Sequence, residues 1–283
     1  MKNKKIKQEF GILLNEFAKS LSNHILHNDG WTIKGFIDIF ENIYTLSTDT
    51  KVLSKILELH IFPYFLNFAA QNGYKIELAN HQNYYPDLTF VRINNPKIKF
   101  AVDLKTTYLK DKHPELCNGF TLGSHGEYFI NRESTKNIQY PYNQYYGHFC
   151  LGIIYSRVAG SEINETRKYS IKEISEIPSV IKNFTFFAAE KWRIASDKSG
   201  SGNTANIGSI KNVEDILMGN GVFAKAGENF FDDYWMNFGK IQITTKDGNH
   251  KFLTSFEEYI LYRNLSLSMI NPQPQKERGG KFE

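Results

Sequence analysis

At residue 74 the hydrophobic period of this 283-residue chain changes from three-to-four to two, and this switch constrains the fold more than any other feature of the sequence. Upstream, Ser47, Thr48, Asp49 and Thr50 form a run of N-capping residues, followed by Leu53, Ile56, Leu57, Phe65, Leu66 and Phe68 at helical spacing. Pro63 is expected to end or kink that helix, and Asn72-Gly73 to stop it. Downstream, residues 74–78, 86–93 and 97–107 read as strands, the last two joined through Asn94, Asn95 and Pro96 as a hairpin. Along the third strand Ile98, Phe100, Val102 and Leu104 point one way, and Lys99, Ala101, Asp103 and Lys105 the other. A helix feeding antiparallel strands indicates a mixed α/β (α+β) chain.

The remaining segments give weaker signals. Ile6, Phe10, Leu13, Leu14, Phe17 and Leu21 predict an amphipathic helix within residues 5–27, stopped by Asn28, Asp29 and Gly30. His24 and His27 near its end lack further ligands nearby and are read as helix-end histidines rather than a metal pair. Residues 108–133 read as a loop, 140–155 as a helix leading into a strand near 149–156, and 177–194 as containing a strand with Phe184, Phe186 and Phe187. Residues 197–209 read as a long Gly-rich loop, 256–263 as a helix and 271–283 as a disordered tail. No internal repeat is present.

Composition narrows the class. Hydrophobic residues at 41% and charged residues at 23% fit a folded globular protein and exclude disordered or membrane-embedded chains. The balance of 34 Lys+Arg against 30 Asp+Glu, a net +4, permits a nucleic-acid partner without requiring one. Cys117 and Cys150 have no paired spacing, which suits a reducing compartment. Lys2, Lys4, Lys5 and Lys7 resemble a signal-peptide start, but Asn15 and Glu16 cut the next apolar run short, and no stretch reaches membrane-spanning length. The expected location is the cytoplasm, with no membrane association.

The densest chemical signal is Pro86-Asp87, fifteen intervening residues, then Asp103-Leu104-Lys105. Two carboxylates on paired strands offer hard oxygen ligands for Mg²⁺, which takes one or two carboxylates and leaves room for water and phosphate oxygens. Lys105, on the face of Asp103, can stabilise charge building on a phosphoryl group. Glu58, on the preceding helix, could add a third carboxylate. The same pattern also arises by chance on a solvated strand face, so spacing alone leaves both readings open.

The strings NYYPDLTF (83–90), AVDLKTTY (101–108), TKNIQYPYNQY (135–145) and SGSGNTANIGSI (199–210), in that order, resemble the EcoRV-type type II restriction endonucleases of the PD-(D/E)XK nuclease superfamily. Residues 48–54 resemble that family too, so the likeness runs from about residue 47 to about residue 235. It implies a restriction-endonuclease-like core, a central mixed sheet flanked by helices, forming one domain over residues 1–270 with the tail beyond it. It also implies that Asp87 and Asp103 are catalytic metal ligands, Lys105 the catalytic lysine and Glu58 an auxiliary acidic group at the metal site. Gly200, Ser201, Gly202, Asn203 and Thr204 match a recognition loop that enters the major groove, Gln82 and Asn83 a loop approaching the minor groove, and Lys136 and Arg157 basic positions contacting the DNA backbone. A Gly-rich loop lets the backbone approach base edges, where Asn can pair with adenine; without the resemblance, a mobile surface loop is the plainer reading of SGSGNT. The chain departs from the family in having Leu104 between Asp103 and Lys105, a different loop after Lys110, fewer arginines after residue 238, and an N-terminal 30 residues beyond the family pattern, to which no role is assigned.

The function implied is Mg²⁺-dependent hydrolysis of double-stranded DNA at a short palindrome, expected to resemble GATATC with a blunt cut, by a homodimer whose cognate methyltransferase is encoded nearby. Two rivals remain at this point: a sequence-specific DNA-binding protein that does not cut, and a non-specific or repair nuclease with the same metal site.

Overall fold

In the computed structural model, which describes residues 2–81, 83–158, 163–200, 205–244 and 248–273, the chain opens with helix α1 (Lys2–Ser20). A small hairpin, β1 (Leu26–His27) and β2 (Gly30–Trp31), leads on toward the long helix α2 (Thr50–Gln71). Asp49 caps α2, its carboxylate accepting the N–H groups of Lys51 and Val52 at 2.9 and 3.0 Å. Pro63 does not end the helix, which continues to Gln71. Pro63 and Leu59, whose carbonyl loses its partner to the proline, both lie on the exposed face, where water can serve that carbonyl.

From the period switch the chain builds β3 (Tyr74–Glu77), β4 (Leu88–Arg92), β5 (Lys99–Lys110), β6 (His113–Cys117), β7 (Tyr145–Arg157) and β8 (Ile181–Glu190). The strand order is β1-β2-β8-β7-β5-β4-β3, with β6 also on β5. Only β5 and β7 run parallel in this sheet; the other pairs are antiparallel. The alternation along β5 sorts two cores. Phe100 and Val102 join Phe10 and Leu14 of α1 and Leu57 and Phe65 of α2, with Phe10 stacked on Phe100 at 4.0 Å between centroids. Ala101, Cys150 and Phe187 face the opposite side, covered by Tyr234 and Trp235 of the helix Glu228–Asn237 and by Phe256 and Tyr259 of the helix Phe256–Tyr262. The mixed sheet flanked by helices is the expected architecture.

Several segments differ from expectation. Residues 108–133 are not a loop: β5 runs to Lys110, and β6, the strand Thr121–Ser124 and the short helix Glu127–Ile130 follow. Each is five residues or shorter beyond β5, too brief to show a period, yet Cys117, Phe120, Leu122 and Phe129 are buried. The helix expected after Tyr140 is one 3₁₀ turn, Tyr142–Gln144, before a strand buried on both faces, whose unbroken apolar run hides its alternation. The stretch read as a long loop at 197–209 is the hairpin of Ala195–Ser199 and Asn206–Ser209, which leaves a shorter connection. Asn271 and Gln273, assigned to the tail, donate to the Asn220 carbonyl, while residues 274–283 lie outside the described residues. His24 lies at a helix end as expected, in the last turn of the short helix Ser22–Ile25, where it stacks on Tyr64, whereas His27 lies in β1. Among the described residues no helix is long and apolar enough to cross a membrane.

Candidate active site

The register of β4 against β5 pairs Leu88 with Val102, so one step further along the ladder Asp87 meets Asp103. The Asp87 N–H donates to Asp103 Oδ1 at 3.1 Å, and the Leu104 N–H donates to Asp87 Oδ2 at 2.9 Å. Lys105 Nζ lies 3.3 Å from Asp87 Oδ2 and 3.4 Å from Asp103 Oδ2. The two carboxylates and the ammonium that the sequence placed on one face therefore converge. Asp103 is buried at 3% exposure, whereas the Asp87 side chain is 40% exposed and opens the cluster to solvent.

Environment pushes the two carboxyls apart. Burial disfavours an ionised Asp103, but the ammoniums of Lys105 and Lys191 outweigh it and hold its carboxyl down at about 2. Asp87 moves up, through burial and the neighbouring Asp103 charge, against the pull of Lys105. Burial acts against the Lys105 ammonium, yet Asp103 and Asp87 raise its pKa, so Lys105 is charged at neutral pH. Cys150, across from Asp103 in the β5–β7 register, is pushed up to about 12 by burial and is a neutral thiol.

The cluster opens into a cleft of about 710 Å³ between α2 and β5, lined by Lys51, Lys55, Glu58, Asp87, Lys105 and Tyr108 among others. Glu58 sits on the wall of this cleft but pairs with Lys55 at 2.8 Å. Among the described residues no group of three His, Cys, Asp or Glu side chains is arranged to hold a metal, and Glu58, paired with Lys55, is not brought together with Asp87 and Asp103. A helix glutamate faces whatever its helix turn selects, which the sequence cannot fix. The donor set is nonetheless chemically suited to a hard divalent cation: two carboxylates, one of them open to a cleft where water and phosphate oxygens can complete the shell.

The remaining expected residues spread around this cleft and beyond it. Arg157, at the end of β7, stacks its guanidinium over Tyr108 at 3.9 Å, beside the cleft. Asn83 is an exposed turn residue two positions before the buried Tyr85, and Lys136 is an exposed turn residue remote in sequence from either. Gly200 donates its N–H to the Asn206 carbonyl at 2.8 Å and closes the base of the hairpin. Gln82, Ser201, Gly202, Asn203 and Thr204 lie outside the described residues.

Lys191 was not anticipated. It opens the short helix α3 (Lys191–Ile194), directly after β8, and its ammonium donates to Asp103 Oδ2 at 2.8 Å. The side chain is buried and stands 4.1 Å over the Tyr85 ring. Burial lowers its pKa, a penalty only partly offset by Asp103. The sequence gives no clear hint of it, since Lys191 stands between Glu190 and Trp192 in the mixed stretch from Phe186 to Ile194.

Comparison with known proteins bears on this arrangement. The family profile described as restriction endonuclease EcoRV matches residues 27–264. The type II restriction enzyme EcoRV of Escherichia coli is 39% identical over 233 residues, which span 82% of this chain and 91% of that enzyme. Helix α1 precedes the profile match.

Proposed function

This chain belongs to the EcoRV restriction endonuclease family and is a type II site-specific deoxyribonuclease, and we propose from that premise that it cuts double-stranded DNA in a Mg²⁺-dependent reaction at a short palindrome, GATATC, leaving blunt ends. The observation that supports this most is the convergence of Asp87, Asp103 and Lys105 on a lysine-lined cleft. In this reading Asp87 and Asp103 would hold the metal, with Glu58 on the cleft wall as the auxiliary third carboxylate. Bound there, Mg²⁺ supplies Lewis-acid stabilisation of charge on the phosphoryl oxygens.

The protein's own residues do the rest. Lys51 and Lys55 draw the phosphate backbone into the cleft, with Arg157 and Lys136 as further backbone contacts. Water attacks phosphorus in line and expels the 3′ oxygen, leaving 5′-phosphate and 3′-hydroxyl ends. Lys105, charged and held between the two carboxylates, faces the negative charge that grows on the phosphoryl group. Residues 200–204 read the major groove and Gln82 and Asn83 approach the minor groove, with Asn203 pairing to adenine.

A palindrome calls for a two-fold dimer. Supporting that, the small sheet of Gly35–Ile37, Asn42–Thr45 and Lys168–Ser170 and the turn beside it expose Phe36, Ile37, Ile39 and Phe40, the last two 90% and 77% exposed; such a patch fits a second copy of this chain. Residues 1–270 are read as one domain, since Phe10 and Leu14 of α1 lie in the same core as β4, β5 and β7. The buried cysteines Cys117 and Cys150, which form no disulfide, suit the cytoplasm, where a cognate methyltransferase would protect host sites.

Digesting a mixed-sequence plasmid with and without Mg²⁺ and sequencing the ends tests the proposal. Blunt cuts confined to GATATC, lost in Asp87→Ala with DNA binding retained, are expected. Cuts at unrelated sequences would overturn the specificity, and undiminished cutting by Asp87→Ala would overturn the site.

A further inference from the structure

We propose that Lys191 is a positioning residue that acts as an internal counter-ion to Asp103, occupying Oδ2 in the resting enzyme and holding down the affinity of the Asp87–Asp103 pair for a divalent cation. The inference rests on the reading of Asp103 as a metal ligand. Its grounds are geometric. Of the two ammoniums at Asp103, that of Lys191 is the nearer, at 2.8 Å against 3.4 Å for Lys105. The Lys191 side chain is 8% exposed against 27% for Lys105, so it contacts Asp103 from the protein interior while Lys105 stands toward the cleft.

The surroundings hold Lys191 in that place. The Tyr85 ring lies beneath its ammonium at 4.1 Å. A Cβ at Gly123 would sit 3.4 Å from Nζ, and φ at Gly123 is +116°, a conformation other residues rarely adopt. An apolar side chain of the same length would fill this space without the cost of desolvating a charge, and replacing buried ions by apolar groups is often neutral or stabilising. A buried lysine aimed at Asp103, the buried partner of the cleft-facing Asp87, is therefore explained by what it does to that carboxylate.

Its effect follows from the charges. In formal charge Asp87 and Asp103 contribute two negatives, and Lys105 and Lys191 two positives, so the four groups balance. A dication entering the cluster meets no net attraction, and one of the lone pairs it would use on Asp103 is already engaged by Lys191. Removing the Lys191 charge takes one positive charge from the cluster and leaves Oδ2 with only the more distant Lys105 ammonium beside it.

The test measures Mn²⁺ binding to the DNA-free full-length protein by electron paramagnetic resonance at neutral pH, comparing wild type with Lys191→Met. The expected result is affinity raised about tenfold or more, because a unit charge within a few ångströms of a dication acts strongly in a partly dehydrated site. A lysine with a merely structural role would, on removal, loosen the site and weaken binding. Unchanged or weaker binding in Lys191→Met would therefore overturn the proposal; should that variant fail to fold, Lys191→Gln carries the same expectation. Asp103→Asn separates the two readings. Loss of Mn²⁺ binding in Asp103→Asn upholds Asp103 as a ligand whatever Lys191 does, whereas wild-type binding there would overturn the ligand assignment and with it this inference.

Discussion

Gly152 lies in β7 directly across from Lys105 on one side and from Phe187 of β8 on the other. A Cβ at this position would stand 2.2 Å from both Cε1 and Cζ of Phe187, more than 1 Å inside ordinary contact. Phe187 is 2% exposed and packs edge-on against Phe120 at 5.8 Å, so the ring cannot swing into solvent. Gly152→Ala therefore forces the ring or the strand to move, and overpacking of this kind costs ~1–3 kcal/mol. Alanine recovers ~0.5–1 kcal/mol relative to glycine within a strand. Two ring atoms at 2.2 Å put the clash in the upper half of that range, about 2–3 kcal/mol, so the net expectation is a loss of about 1–2.5 kcal/mol, read as a lower urea midpoint at unchanged slope in tryptophan-fluorescence unfolding. Phe187→Leu removes the two clashing ring atoms, so adding Gly152→Ala to that background should cost less than about 0.5 kcal/mol, with the difference appearing as a coupling energy. If Gly152→Ala is as stable as wild type, or costs the same in both backgrounds, the steric reasoning is wrong.

Three further outcomes follow from the same structure. Lys7 of α1 is 14% exposed and holds Glu190 at 2.5 Å and Glu228 at 2.6 Å; Lys7→Met leaves those carboxylates facing each other and should cost about 1–3 kcal/mol in the same unfolding assay, and a neutral result would show that the pairs contribute nothing. Asp38, whose carboxyl is held at about 2 first by the Asn42 side chain and then by the N–H groups of Asn42 and Phe40, has a folded pKa below its unfolded one, so its contribution is present above about pH 4 and lost as pH falls through 2; Asp38→Asn should flatten that acid limb in urea unfolding between pH 5 and 2, and an unchanged limb refutes the assignment. Asn203→Ala should lose ~1–3 kcal/mol of discrimination at the adenine it is proposed to read, measured as the ratio of cleavage rates at cognate and single-substituted sites; an unchanged ratio refutes its role in readout.

What the sequence disclosed depended on the range of each signal. Asp87, Asp103 and Lys105 were legible because strand alternation is local, and the pairing of 86–93 with 97–107 needs only a short turn. The capped start of α2 was legible for the same reason, although Pro63 misled: a proline is tolerated where its missing hydrogen bond falls on a wet face. The pairing of Glu58 with Lys55, rather than with the carboxylates, depends on the rotation of α2 against the sheet. Lys191 was illegible because its link to Asp103 crosses 88 positions and two strand interfaces. The short strands after β5 were missed because their burial comes from neighbours remote in sequence, chiefly the aromatic helices after residue 227.

The parallel pairing of β5 with β7 has a consequence for how such an enzyme is made. Parallel neighbours cannot form by a tight turn; here residues 111–144 must first be looped away before β7 can dock. Asp87 and Asp103 can meet in an early hairpin, but Cys150 and Gly152 flank Asp103 and Lys105 only once β7 is seated, and Lys191 arrives only after β8 as well. A nascent or partly unfolded chain therefore carries the carboxylates without the register and counter-charges that order them. Completion of the cluster thus waits on long-range folding, and a chain in which β7 or β8 is unseated lacks the assembled site.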